Sequence, residues 1–288
     1  MCLVAFAINA SARWPLVIAA NRDEFLNRPT RALGRWQTIA GQEIVAGRDL
    51  RAGGTWLGMT PGGRVAFLTN VREAKSQAAP HSRGELVTRW LEETCDALAF
   101  AQALAQDGAA YGGFNLVLGD FQRNAWTWVT NKSAVSSLRV QPLKPGVYGL
   151  SNAALNTPWP KTMALKRVLA NALDSPEPDQ LRATLWTALA NRERAPREQL
   201  PATGVPPAME QALSSAFVAF PEHAYGTRSS TVLLASALGP REGERRWDVG
   251  VEERTHLHDP DQSIDKPSAR TCNIAWQQLP ALENATLE

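Results

Sequence analysis

A cysteine stands directly behind the initiator methionine and opens an apolar segment, MCLVAFAINA. Methionine aminopeptidases remove Met1 when the second residue is small, and cysteine qualifies, so the mature protein could begin at Cys2. A free α-amine has a pKa of roughly 7.7 to 8.0 and a thiol one of roughly 8.5, so this amine can act as the base for its own side chain. We therefore predict that Cys2 is a nucleophile. The alternative is a small buried apolar residue, which is the role we expect for Cys95, in mid-helix, and for Cys272.

Polar residues that close a second apolar segment are expected beside this cysteine. Residues 2–9 and 16–23 have the length and composition of strands, and the turn formers in NASARWP between them predict a hairpin. In such a hairpin the far end of the second strand returns beside the start of the first. An arginine there would favour the thiolate and a carboxylate would hold the α-amine, whereas the alternative is a salt-bridged strand exit or a helix cap. The polar residues are Asn21, Arg22, Asp23 and Glu24.

Three further polar residues lie at the ends of apolar strand segments. Asn70 closes VAFLTN and Asn152 closes VYGLSN, and buried strand ends hold amide donors rigidly, as an oxyanion hole requires. The alternative role of each asparagine is that of a turn former. Arg228, just before SSTVLLASA, is a third candidate for the site.

Strand and helix patterns occur in groups along the sequence rather than in alternation, which is typical of α+β folds with largely antiparallel sheets. The first helical stretch has Ser82 and Glu85 in capping-box spacing, and the second has Thr157 at its N-cap. Further helices are expected around 178–192 and 206–218. Because the first two strands carry apolar residues on both faces, we predict a four-layer αββα sandwich of two mainly antiparallel sheets, in a single domain spanning residues 1–288.

The composition excludes several classes of protein. The 288 residues are 44% hydrophobic and 20% charged, with a net charge of +2 and no basic tract, so we expect no nucleic-acid partner. Asn9 and Arg13 interrupt the apolar start and no basic segment precedes it, so we expect neither a signal peptide nor a membrane span, and a cytoplasmic location. Three cysteines are too few for a disulfide framework, and none forms a C-x-x-C pair.

Ordered segments of the sequence resemble the NRDE family, also called the Transport and Golgi organisation 2 family. They are MCLVAFAIN, PLVIAANRDEFLNRPT, AGGTWLGMT, VAFLTNVRE, SRGELV, YGGFNLVLGD, YGLSNAALNTPWPK and RSSTVLL. That family looks like a branch of the N-terminal nucleophile hydrolases, close in layout to the choloylglycine hydrolase and penicillin V acylase group. The resemblance implies an αββα sandwich and an N-terminal cysteine that attacks an amide bond. The acylase group spaces its first Arg and Asp three apart, whereas Arg22 and Asp23 are adjacent here.

The resemblance implies two classes of function. As a hydrolase, the protein would need no cofactor and would take a small-molecule amide. Members of the family are also associated with haem trafficking and with lipid or acyl-CoA metabolism, so the same pocket could instead bind haem, a lipid or acyl-CoA without chemistry. Cys2 or a histidine would then ligate the haem. The histidines are His81, His223, His256 and His258, of which the last two form an H-x-H pair expected on a solvated surface strand.

Overall fold

The computed structural model describes residues 2–74, 79–121, 123–132, 138–241, 244–257 and 268–278. Within these residues the strands are β1 (Cys2–Ile8), β2 (Leu16–Phe25), β3 (Thr30–Gln37), β4 (Glu43–Asp49), β5 (Leu57–Met59), β6 (Arg64–Asn70), β7 (Phe114–Asp120), β8 (Ala125–Thr130), β9 (Arg139–Pro142), β10 (Gly146–Leu150), β11 (Ala219–Phe220), β12 (Tyr225–Arg241), β13 (Glu244–Leu257) and β14 (Ser268–Gln278). The helices are α1 (Gly84–Glu92), α2 (Ala97–Asp107), α3 (Pro160–Ala172), α4 (Pro178–Leu189) and α5 (Pro207–Ala212).

These strands form two sheets of seven strands each. Sheet I has the order β10-β1-β2-β12-β13-β14, with β11 paired to β12, and sheet II has the order β3-β4-β5-β6-β7-β8-β9. All of these strand pairings are antiparallel. The prediction of an α+β fold with antiparallel sheets is therefore confirmed.

Three apolar cores separate four layers. The first lies between the sheets, where Phe6 and Ile18 of sheet I meet Phe67 of sheet II. The second joins the outer face of sheet I to α3 and α4, and the third joins the outer face of sheet II to α1 and α2. The predicted αββα sandwich is thus confirmed, with helices on both outer faces. No helix formed by the described residues is long and apolar enough to cross a membrane.

Strands β1 and β2 form the hairpin that the turn sequence predicts, and both lie inside sheet I rather than at its edges. Every residue of β1 is buried. Leu3 packs against the helices and Phe6 against sheet II, so the two faces of the strand contribute to different cores. A strand covered on both faces carries apolar residues at every position instead of alternating with polar ones.

Four local predictions need correction. Cys95 lies between α1 and α2 and is half-buried, so it is not in mid-helix. The predicted capping box does not form: α1 begins after Arg83, and no side chain among the described residues caps its N-terminus by a hydrogen bond. Helix α3 begins two residues later than expected, at Pro160 instead of Pro158. The fixed φ of proline suits the first position of a helix, and Pro160 occupies that position. Helix α5 covers only Pro207–Ala212 of the segment 206–218.

Candidate active site

Cys2 is held at the start of β1 by both of its neighbouring strands. It pairs with Arg22 of β2, and its main-chain oxygen accepts a hydrogen bond from Ser151 Oγ at 3.0 Å, just beyond β10. Its side chain is buried. Burial raises the pKa of the Cys2 thiol, and the Asp23 carboxylate adds to this rise, whereas the Arg22 guanidinium opposes it.

Asn21 and Arg22 face opposite sides of sheet I, because successive residues of a strand alternate. Asn21 points toward the helical layer, where its Nδ2 donates to the main-chain oxygens of Leu189 and Ala216 at 2.9 and 2.8 Å. Arg22 points between the sheets with Cys2 and lies over the ring of Trp56, 4.3 Å from its centroid. Asn21 therefore anchors β2 to the helices, whereas Arg22 belongs to the surroundings of the sulfur.

Asp23 is buried and belongs to a polar cluster behind Cys2. Its Oδ1 accepts a hydrogen bond from Thr227 Oγ1 at 2.7 Å, and its main-chain oxygen accepts one from Tyr225 Oη at 2.9 Å. Burial raises the pKa of the Asp23 carboxyl, and the charge of Lys161 is the largest influence that opposes this rise. The protonation of Asp23 is thus coupled to that of a lysine which sequence reasoning did not select.

Glu24 lies at the end of β2 and pairs with two arginines. Its carboxylate is 3.6 Å from Arg22 Nη2 and 3.8 Å from Arg28 Nε. Arg28 also binds Asp49, with Nη2 and Oδ2 2.6 Å apart. These ion pairs fix the segment that follows NRDE against the end of β4.

The two predicted oxyanion asparagines lie on different sheets and contact each other. Asn152 Nδ2 donates to the main-chain oxygen of Asn70 at 3.0 Å, and Asn152 Oδ1 accepts from Ser151 Oγ at 3.2 Å. Next to them, Thr69 Oγ1 donates to the main-chain oxygen of Ser151 at 2.5 Å. Asn152 therefore ties the end of β10 to the end of β6, which carries Asn70.

Arg228 occupies a bulge in β12, opposite the NRDE segment. The register of β12 against β2 shifts between Thr227 and Ser229. The Arg228 guanidinium donates to the main-chain oxygens of Phe25 and Leu26 at 2.8 and 2.7 Å. Arg228 thus secures the loop after β2, and its guanidinium is engaged there rather than at the sulfur.

A cavity of about 470 Å³ opens beside Cys2. Small-molecule sites usually have roughly 300 to 1,000 Å³. Its described lining includes the predicted site residues Cys2, Arg22, Asp23, Glu24 and Asn70. Asn21, Asn152 and Arg228 are not among the described residues that line it. The structure therefore brings five of the eight predicted residues to one cavity, and the other three lie outside its described lining.

Lys161 and Arg83 are the main residues that sequence reasoning missed. Lys161, in the first turn of α3, is 5% exposed, and its Nζ has no hydrogen-bond partner among the described residues. Burial lowers the pKa of Lys161 to about 8, whereas the Asp23 carboxylate opposes this shift. Arg83 precedes α1 and lines the cavity, and a negative charge on the Cys2 sulfur would raise its pKa. Both lie in segments that carry the family resemblance, SRGELV and YGLSNAALNTPWPK, and that is the signal that could have found them.

The four histidines considered as haem ligands lie in different places. His81 lines the cavity, and its Nδ1 is 3.2 Å from Glu85 Oε2. His223 is exposed and stacks on Phe220. His256 is buried, 2.9 Å from Ser230 Oγ, so the expectation of a solvated residue is wrong for it. His258 lies outside the described residues. Among those residues no group of three or more His, Cys, Asp or Glu side chains is arranged to hold a metal ion.

Comparisons with known proteins agree with the resemblance seen in the sequence. The protein is 34% identical over 253 residues to a Transport and Golgi organization protein 2 homolog of Bos taurus, and the match spans 83% of this chain and 90% of the relative. It is 26% identical over 257 residues to Transport and Golgi organization protein 2 of Drosophila melanogaster, and the match spans 82% of this chain and 88% of the relative.

Two solved structures of proteins named as hydrolytic enzymes are also similar to the structure of this protein. A Caenorhabditis elegans N-acylethanolamine-hydrolyzing acid amidase ortholog has a TM-score of 0.45 at 13% identity, and the match spans 64% of this chain and 85% of that one. A mutant conjugated bile acid hydrolase from Clostridium perfringens has a TM-score of 0.46 at 9% identity, and the match spans 94% of this chain and 96% of that one. At these identities and scores the two matches say nothing about the activity of this protein. The family described as Transport and Golgi organisation 2 matches residues 1–242, and the chain belongs to that family.

Proposed function

We propose that this protein is an N-terminal cysteine hydrolase that cleaves a linear amide bond of a small molecule through Cys2. The observation that carries the proposal is the position of the Cys2 thiol, which lines a cavity of about 470 Å³ from the end of a strand buried on both faces. A nucleophile must be held rigidly and still be reached by its substrate. The proposed setting is the cytoplasm, with a small molecule as the partner.

The proposed reaction begins after removal of Met1. The thiol proton passes to the α-amine of Cys2, the sulfur attacks the carbonyl carbon, and Asn70, which lines the cavity, donates to the oxyanion. The C–N bond then breaks, the leaving amine takes the proton, and water hydrolyses the thioester to a carboxylic acid and the free thiol. Because burial raises the pKa of the Cys2 thiol, the resting enzyme holds it protonated, and a base is required.

An activated ester tests the nucleophile without knowledge of the natural amine. The protein is mixed with p-nitrophenyl octanoate, p-nitrophenol release is followed, and the acylated peptide and Met1 removal are determined by mass spectrometry. We expect a stoichiometric burst with the acyl group on Cys2, lost in Cys2→Ala. Asn70→Ala should slow the burst by about a hundredfold to a thousandfold.

Cys95→Ala is the matched control, because Cys95 is the other free cysteine whose side chain the structure describes and is only half-buried. It should retain the full burst. Acylation at Cys95 in place of Cys2, or an unchanged burst in Cys2→Ala, would refute the catalytic role of Cys2.

A second candidate function is binding of haem, a lipid or acyl-CoA in the same cavity without chemistry. The observation that favours it is that His81 and Cys2, two groups able to ligate haem iron, line one cavity. Haem titration followed by absorbance, with wild type, Cys2→Ala and His81→Ala, distinguishes the two candidates. A spectrum and affinity unchanged in both variants would exclude these residues as ligands.

A further inference from the structure

The cavity beside Cys2 contains more guanidinium groups than its carboxylates neutralise. Four arginines and three acidic residues line it among the described residues: Arg22, Arg28, Arg51, Arg83, Asp23, Glu24 and Asp49. With all seven ionised, the lining carries one net positive charge. Asp49 and Glu24 are engaged by Arg28 and Arg22, and Asp23 lies in the buried cluster with Lys161. Arg83 and Arg51 are therefore the two arginines of the described lining that form no ion pair with these carboxylates.

Arg83 is half-buried yet has little to bind within the protein. Among the described residues, its hydrogen-bond acceptor is the main-chain oxygen of Gly113, 3.4 Å from Nη1. Glu73, whose charge also influences Arg83, forms an ion pair with Lys132 at 2.6 Å. Burial lowers the pKa of the Arg83 guanidinium, and a negative charge on the Cys2 sulfur is the largest influence that opposes this shift. A partly desolvated guanidinium with spare donors is poised to bind an anion.

Three glycines, Gly54, Gly84 and Gly112, allow the close backbone packing around Arg83. A Cβ on Gly54 would come 2.5 Å from the carbonyl carbon and oxygen of Gly84. The loop that carries Arg51 can therefore approach the start of α1 this closely only because residue 54 is a glycine. A Cβ on Gly112 would come 2.6 Å from Arg83 Nη1. The guanidinium therefore occupies space that Gly112 leaves open, on the wall of the cavity.

We propose that Arg83, with the exposed Arg51 at the rim, binds a carboxylate carried by the amide substrate while its scissile bond lies at Cys2. The arginines that the lining carboxylates leave over make an anionic substrate favourable, and a guanidinium matches the planar carboxylate with two parallel hydrogen bonds. This inference rests on the proposed function and names its substrate class: N-acyl amino acids and related anionic amides.

Binding to Cys2→Ala tests the inference independently of turnover. Two probes of equal length are compared by calorimetry: N-octanoylglycine, which carries a carboxylate, and N-octanoylglycinamide, which is neutral. We expect the carboxylate to bind about tenfold to a hundredfold more tightly, as is usual for hydrogen bonds to charged groups. Adding Arg83→Gln should remove this preference and leave the affinity for the neutral amide within about twofold.

Two further variants separate a specific site from a general effect of charge. Gly112→Ala keeps the positive charge but displaces the guanidinium, so it should also reduce the preference, and it serves if Arg83→Gln does not fold. Arg194→Gln, at an exposed position, removes the same charge elsewhere and should leave the preference intact.

Three results would overturn the inference: equal affinities for the two probes, a preference that persists in both Arg83→Gln and Gly112→Ala, or no binding of N-octanoylglycine. Each of these can occur while the p-nitrophenyl octanoate burst is intact. Conversely, the proposed hydrolysis can fail while the carboxylate preference is present. The two proposals are therefore tested separately.

Discussion

At the scale of single residues, the site combines a buried thiol with a buried carboxylate and a buried amine. The Asp23 carboxylate adds to the rise in the pKa of the Cys2 thiol, and the charge of Lys161 acts in turn on that carboxylate. Lys161 lies in the first turn of α3, where the helix dipole disfavours a cation, and burial disfavours it further. A lysine in such a position costs stability, which is typical of a residue kept for function.

Lys161→Met should change how stability depends on pH. An unfolded lysine titrates near pH 10.4, whereas Lys161 in the folded protein titrates at about 8. Between these values the unfolded state binds the proton and the folded state does not, so this group makes the free energy of unfolding rise with pH. We expect that rise, about 1 to 2 kcal/mol between pH 8 and 9.5, in wild type and not in Lys161→Met. Urea unfolding at pH 7.5, 8.5 and 9.5 measures it; parallel curves for the two proteins would contradict the prediction.

At the scale of elements, two close backbone contacts and a bulge shape the cavity. The loop after β4 meets the start of α1 through Gly54 and Gly84, and Thr55 N–H donates to Gly84 O at 3.2 Å. On the other side, the bulge in β12 lets Arg228 hold the loop after β2. The cavity is thus bounded by loops whose positions depend on glycine and on main-chain hydrogen bonds.

Gly54→Ala should destabilise the protein by about 1 to 3 kcal/mol, the usual cost of overpacking. The added Cβ would lie 2.5 Å from backbone atoms of Gly84, which cannot swing aside as a flexible side chain does. Gly62→Ala is the matched control, because its Cβ would have Thr60 Oγ1 as nearest neighbour at 3.6 Å. Urea unfolding of both variants measures the difference. Equal stabilities would contradict the prediction, because they would show that the loop shifts to accommodate the added methyl group.

At the scale of the whole molecule, the site exists only because the two sheets are stacked. Asn152 and Asn70 join sheet I to sheet II beside the cavity. Farther along the same interface, Glu253 Oε1 of β13 accepts a hydrogen bond from Leu33 N–H of β3 at 2.7 Å. Between these polar ties the interface is apolar, and the rings of Phe6 and Phe67 meet edge to face with centroids 5.0 Å apart.

Phe67→Ala should cost about 3 to 5 kcal/mol of stability, because it removes a buried ring and leaves a void between the sheets. Phe67 is 1% exposed. Ile39→Ala, at a fully exposed position, should change stability by no more than about 0.5 kcal/mol. Thermal and urea unfolding compare the two; a cost for Phe67→Ala as small as that for Ile39→Ala would mean that the sheets are not held by this core.

Local patterns were enough to predict the sandwich and the hairpin, because apolar runs and turn formers specify which strands are buried and which are joined. They also predicted the Cys2 neighbourhood, since hairpin geometry brings Arg22 beside Cys2 whatever the rest of the protein does. Helix starts were predicted less well. At Ser82 and Thr157 a capping residue was present, but neighbouring Arg83 and Pro160 set the boundary.

The sequence by itself determined the family, the layer order and the residues of the first hairpin, because these follow from patterns between near neighbours. Only the tertiary structure decided which polar side chains meet at the cavity. Arg83 lines the Cys2 cavity from the residue before α1, the charge of Lys161 in α3 acts on Asp23, and Arg228 donates to loop carbonyls from a bulge in β12. Their positions depend on how sheets and helices stack, which burial and backbone hydrogen bonding settle between segments far apart in the sequence.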